Sequence, residues 1–268
     1  MIELRGVTKA FGAKRAVDRL DLHVRAGELF AFLGPNGAGK TTTIKMVCGL
    51  LAPTEGTVRV GGFPASRPEA RQLLAYVPDQ PYLYEKLTGR EFLRFVVEMY
   101  GLDARTGAMR TAELIETFEM ADYVDELCEN YSQGMKQRVV FAAALVHEPK
   151  VLVVDEPLVG LDPRSARIVK DLFVAQARAG VAVLMSTHLL AIAEELADTV
   201  GIIDNGRMLA QGSLADLRER LQTTGPLEDL FLKMTGGLRP SGNGRHPLGA
   251  SPTVGHEGGR AAEGGREP

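Results

Sequence analysis

The sequence has little cysteine, no long apolar run and no excess of one charge. Its 268 residues hold two cysteines, Cys48 and Cys128, far apart and outside any CxxC pair. That spacing gives no dense disulfide framework, and it favours two buried small hydrophobes in a reducing compartment over metal or disulfide roles. No apolar stretch approaches the ~18–20 residues of a membrane-spanning helix. The opening Met1-Ile2-Glu3-Leu4-Arg5 lacks the basic-then-apolar layout of a signal peptide. A soluble chain is expected, so that any membrane work falls to a partner. The formal net charge is -3, with both signs spread along the chain, which argues against nucleic acid as a partner held by bulk positive charge. No internal repeat is apparent.

A hydrophobic content of 45% is ample for a packed core. Short β-like runs come first: Ile2, Leu4 and Val7, a turn at Gly12, then Val17, Leu20, Leu22 and Val24. Leu29–Leu33 is continuously apolar, as in a strand buried on both faces. A glycine-rich loop and a helix over about 41–50 follow, then a turn at Pro53–Gly56 and a strand at Thr57–Val60. From about Glu85 to Cys128 apolar residues recur at helical spacing. Beyond Val151, strands (151–154, 181–185, 200–203) alternate with helices, one opening at Asp162-Pro163 with a cap and an N1 proline. Asp204-Asn205-Gly206 signals a hairpin. This order predicts an α/β fold with a mostly parallel core sheet, an antiparallel β subdomain and an inserted helical subdomain over about 85–145. The domain should end near 235. Residues 236–268, rich in glycine and proline, are expected to form a disordered tail, since they cannot bury enough surface to offset their ordering entropy.

Gly34-Pro35-Asn36-Gly37-Ala38-Gly39-Lys40-Thr41 fits GxxxxGK[ST], with a strand expected before it and a helix after it. Glycines let backbone N–H groups curl around phosphates, and the helix start adds partial positive charge. Lys40 supplies a point charge for the β- and γ-phosphates, Thr41 a hydroxyl for Mg²⁺, and Thr42 extends the phosphate-binding set. An ordinary glycine turn capping a helix is the weaker reading.

Val151–Val154 leads into Asp155 and Glu156. At a strand end beside the loop, Asp155 would meet the Mg²⁺ shell and Glu156 could act as general base on a water. Alone the pair could merely cap a helix. With the phosphate loop it predicts a P-loop nucleoside triphosphatase, and no NKxD-type base-recognition motif suggests the GTPase variant. Ser132, in Tyr131-Ser132-Gln133-Gly134-Met135, can cap a further helix and present a second anion-binding end. On physics alone a plain capped helix would read the same.

The Ser132 segment resembles the LSGGQ signature of ABC ATPases, and the resemblance extends over roughly 2–235 with the family's motifs in order. It implies ATP and Mg²⁺ as cofactors and a site completed by a second ATPase domain, in a homodimer or heterodimer. It also implies that Phe11 stacks on adenine, that Ser132 and Gly134 contact the opposing nucleotide, and that Asp162, in Gly160-Leu161-Asp162, belongs to the D-loop crossing the interface. His188 resembles the switch histidine that contacts the γ-phosphate. Two departures stand out. The signature reads YSQGM, and Asp79, in Tyr76-Val77-Pro78-Asp79-Gln80, occupies the position of the Q-loop glutamine, where a carboxylate can still ligate Mg²⁺. The Asp79 loop, Leu83–Thr88 and GMKQR look like export-type ATPases that pair with separate transmembrane permease subunits. The expectation is therefore a cytoplasmic subunit, peripheral on the inner face of the membrane. Its rivals are an ABC ATPase without a membrane partner and a nucleotide-binding regulator that does not turn over.

Overall fold

The structure is a computed structural model and describes residues 1–80, 82–222 and 224–236. The tail expected from 236 onward lies, apart from Gly236, outside the described residues. The chain opens with β1 (Ile2–Phe11) and β2 (Lys14–Val24), an antiparallel pair, followed by β3 (Leu29–Leu33) and α1 (Lys40–Val47). Strands β4 (Glu55–Val60) and β5 (Phe63–Pro64) complete an antiparallel sheet of order β2-β1-β4-β5. Next come α2 (Pro68–Gln72), β6 (Leu74–Val77), and the helices α3 (Gly89–Met99), α4 (Ala104–Thr117) and α5 (Gln133–Leu145). The chain returns through β7 (Val151–Asp155), α6 (Pro163–Arg178), β8 (Ala182–Thr187), α7 (Leu190–Leu196), β9 (Thr199–Asp204), β10 (Arg207–Gly212), α8 (Leu214–Arg220) and α9 (Leu227–Met234).

The larger sheet runs β10-β9-β3-β8-β7-β6, parallel throughout except at β10. The β9–β10 hairpin turns through Asn205 and Gly206, both in the left-handed region as a tight hairpin requires. Every residue of β3, β7 and β8 is buried. Along β3 the side chains alternate between two cores. Phe30 and Phe32 pack with the antiparallel sheet and α1, while Leu29, Ala31 and Leu33 pack with the helices on the other face. A strand covered on both sides has no polar face to show, which explains its unbroken apolar sequence.

The helical spacing read over 85–128 falls on two helices, α3 and α4, and not on the residues after Phe118. Gly101, in the left-handed region, ends the turn after α3, and the Asp103 side chain caps α4 by accepting from Thr106 N at 3.0 Å. Turns and a short 3₁₀ segment at Cys128–Asn130 follow, so Cys128 is not on an α-helix. Helix α1 ends earlier than expected, at Val47, and β6, α2, α8 and α9 had no counterpart in the sequence reading. Both cysteines are buried and unpaired. Among the described residues no helix is long and apolar enough to cross a membrane.

Phe141 on α5 joins Phe118 and Phe173, with ring centroids 6.3 and 5.8 Å away, and all three are fully buried. Truncating Phe141 to alanine should lower the unfolding free energy by about 3–5 kcal/mol. Urea unfolding that shows a change below about 1 kcal/mol would deny this cluster a central place in the core.

Candidate functional site

Four strand ends meet at one edge of the large sheet. In β3, Leu33 lies opposite Thr187 of β8; Asp155 of β7 lies opposite Ser186; Val77 of β6 lies opposite Val154. The chain leaves these ends into the Gly34–Lys40 loop, His188, Glu156 and Asp79 respectively. Parallel α/β sheets bind ligands outside such carboxyl ends, and here a cleft of about 630 Å³ opens there.

The loop is shaped by its glycines. A Cβ on Gly34 would collide with the Ile203 carbonyl, and one on Gly39, at φ 111°, would stand 2.6 Å from the Ala16 carbonyl. Helix α1 then starts with no side-chain cap. Its first N–H groups therefore remain to be satisfied from the cleft. Pro35, Asn36, Gly37, Gly39, Lys40, Thr41 and Thr42 line that cleft, whereas Gly34 and Ala38 are buried behind it. The Lys40 ammonium is buried and folds back onto its own loop, donating to the Gly34 and Pro35 carbonyls at 2.6 and 3.4 Å. It also lies 3.9 Å from Glu156 Oε1. Burial pulls its pKa down, against the pull of Glu156 and Asp155.

Asp155 is buried and accepts a short hydrogen bond from Ser186 Oγ on one oxygen. Its other oxygen has no hydrogen-bond partner among the described residues. Glu156 sits at φ 49°, a conformation rare for a residue with a Cβ. Its N–H donates to the Ser186 carbonyl at 3.0 Å, which fixes that backbone. Its Oε2 lies 2.9 Å from His188 Nδ1 and accepts from His188 N–H at 3.2 Å. Lys40, Glu156 and His188 thus form a single polar chain. Phe11, half exposed at the end of β1, forms one wall, with Lys9 Nζ 5.2 Å from its ring centroid.

Lys14, Ala16, Lys45, Tyr76 and Gln80 also line the cleft. Lys45 follows Thr41 by one helical turn, and that spacing could have found it. Lys14 and Tyr76 reach the cleft only through sheet pairing.

Ser132, Gly134 and Asp162 do not line this cleft. They gather at two other helix starts. Ser132 Oγ caps α5, accepting from Met135 N–H at 3.3 Å. Asp162 Oδ1 caps α6, accepting from Arg164 and Ser165 N–H at 3.0 Å each.

Residues 17–159 match the ABC transporter family. The chain belongs to it. This ABC ATPase is 42% identical over 222 residues to the daunorubicin/doxorubicin resistance ATP-binding protein DrrA of Streptomyces peucetius, covering 82% of this chain and 67% of that protein. It is 38% identical over 223 residues to the linearmycin resistance ATP-binding protein LnrL of Bacillus subtilis, covering 82% and 72%. A solved ATP-binding subunit of an ABC transporter superposes with a TM-score of 0.83 at 34% identity, covering 88% of this chain and 99% of that one.

Asp79 puts a further carboxylate into the ABC cleft. Its pKa is held above the usual carboxylate range by partial desolvation at the cleft, then by Asp155 and Glu156, with His188 opposing. A carboxylate whose folded pKa is raised binds more protons folded than unfolded, so stability falls as pH rises through that window. Ligand-free Asp79→Asn should therefore unfold at a slightly higher midpoint than the parent at neutral pH, the effect being small because Asp79 is solvent-exposed. The gap should close below the ordinary aspartate range. Thermal unfolding at neutral and acidic pH checks this, and an equal gap at both would refute it.

Proposed function

We propose that the chain powers export through a separate membrane permease, working on the cytoplasmic face as one of two paired ATPase domains. One observation carries the ATPase chemistry: Glu156 is held by His188 on one oxygen and faces Lys40 with the other. In this reading adenine stacks on Phe11 and the Gly34–Thr42 loop cradles the phosphates. Lys40 turns from its loop carbonyls to the β- and γ-phosphates. Glu156 takes a proton from the attacking water, while His188 steadies Glu156 and reaches the γ-phosphate.

The donor set suits Mg²⁺. Thr41 is exposed at the helix start, and its hydroxyl has no hydrogen-bond partner among the described residues. Asp155 lines the same cleft with one oxygen left without a hydrogen bond, and Asp79 adds a further carboxylate. The described residues contain no group of three or more His, Cys, Asp or Glu able to hold a metal alone. Phosphate oxygens would have to complete the shell, as is usual for magnesium. When bound, the ion neutralises charge on the β- and γ-oxygens.

Ser132, Gly134 and Asp162 stand apart from the chain's own cleft, which supports their use by a second copy. Two domains placed head to tail would each close the other's nucleotide between the loop and the Ser132 helix start, and hydrolysis would let them part. An exposed aromatic cluster supports a permease contact. Tyr82 is 75% exposed, and Tyr84 packs edge-on to it and to Phe95 at 6.0 and 5.6 Å. Such a patch on the loop after Asp79 suits a partner surface. The resistance proteins named above support the export direction.

In Glu156→Gln the turnover rate should fall by about 10²–10⁴ while ATP still binds, and the ATP-bound chain should pair in light scattering. Turnover at the parent rate would remove Glu156 from the chemistry. Lys40→Ala should weaken ATP binding by about 10–100-fold in calorimetry, the usual weight of a hydrogen bond to a charged group. An unchanged affinity would count against this cleft as the nucleotide site.

A further inference from the structure

The two helix starts that the cleft leaves unused are bolted to each other. Arg138, on α5 with its side chain 13% exposed, donates from Nε and Nη2 to Ser165 Oγ at 3.3 and 3.0 Å. From Nη1 it donates to the Phe118 carbonyl at 3.2 Å. Ser165, on α6 and 1% exposed, donates its hydroxyl hydrogen bond to Asp162 Oδ2 at 2.5 Å. A hydroxyl has one proton to give and lone pairs to receive, so the chain runs in one direction, from guanidinium through hydroxyl to carboxylate. Hydrogen bonds aligned this way polarise one another. The Ser165 hydroxyl is also the main reason that the Asp162 carboxyl is held below its usual range.

The helix starts are close as well as connected. A Cβ on Gly134 would lie 3.3 Å from Asp162 Oδ2 and 3.4 Å from Ser165 Oγ. Glu119, in the left-handed region just after α4, braces the group from outside, 2.7 Å from Arg164 and 3.6 Å from Arg138. Arg138 therefore joins α5, α6 and the end of α4 through one planar fork. Lysine, with a single ammonium, cannot hold both acceptors in that geometry.

We propose that Arg138 and Ser165 are positioning residues of the ATPase, locking the start of α5 to the start of α6 so that Ser132, Gly134 and Asp162 meet a second copy of this chain as one rigid surface. The inference rests on the head-to-tail pairing proposed above. Neither residue lines the chain's own cleft, so their loss acts on pairing and leaves nucleotide binding by the free chain intact.

The test uses the full chain carrying Glu156→Gln, with Mg²⁺, and follows pairing against ATP concentration by analytical ultracentrifugation. Adding Ser165→Ala or Arg138→Lys should raise the ATP concentration for half-pairing by about tenfold or more, the weight of a lost charge-assisted hydrogen bond. The affinity of the free chain for a fluorescent ATP analogue should stay within about twofold, as for independent sites. Because the two residues act through one relay, combining the changes should cost no more than the worse single change. Pairing at the parent's ATP concentration, additive losses in the combination, or loss of nucleotide affinity in both variants would overturn the proposal. A Glu156→Gln parent that stays monomeric removes the head-to-tail pairing and the relay with it. A parent that pairs beside variants that pair equally well removes the relay alone.

Discussion

The parallel register of β3, β8, β7 and β6 is the constraint on which the site depends. Each strand delivers one piece of chemistry at its carboxyl end, and the pieces meet only because Leu33, Thr187, Asp155 and Val77 finish at the same edge. A slip of one residue would turn Asp155 to the opposite face of the sheet. The two cores hold the register, with Val151 and Val153 of β7 packed in one layer and Leu152 and Val154 in the other. The hydrophobic effect thereby sets the placement of charges several residues away.

Those charges are poorly reconciled without a ligand. Lys40 is buried against loop carbonyls, and Asp79, Asp155 and Glu156 crowd the same cleft. Desolvation depresses the lysine, while the neighbouring acids add to partial desolvation in raising Asp79. On the proposed reading both conflicts would ease with bound phosphates and a divalent cation, the first by pairing the ammonium and the second by offsetting the carboxylates. Asp79 makes this balance more acidic than a glutamine at that position would.

Much of this was legible in the residues because the informative features are local. A glycine loop between a strand and a helix, a strand ending in two carboxylates, and a serine or aspartate before a helix each state their geometry within a few residues. The misreadings have equally local causes. Gly101 and Asp103 break the helical stretch, and β6 is four residues long and lies directly after α2, where periodicity has no room to show. What could not be read is what tertiary pairing brings together. Lys14 and Tyr76 join the cleft from strands of different sheets, and Arg138 finds Ser165 across 27 residues of sequence. No spacing rule announces such a contact.

Helix α1 begins at a glycine that offers its first turn no side-chain oxygen. In most helices the chain supplies that oxygen itself. On the proposed reading the missing acceptor is a nucleotide phosphate, so the ligand completes the folded domain. Its thermal resistance is then not a fixed property of the polypeptide: it climbs with the logarithm of free nucleotide once the dissociation constant is passed.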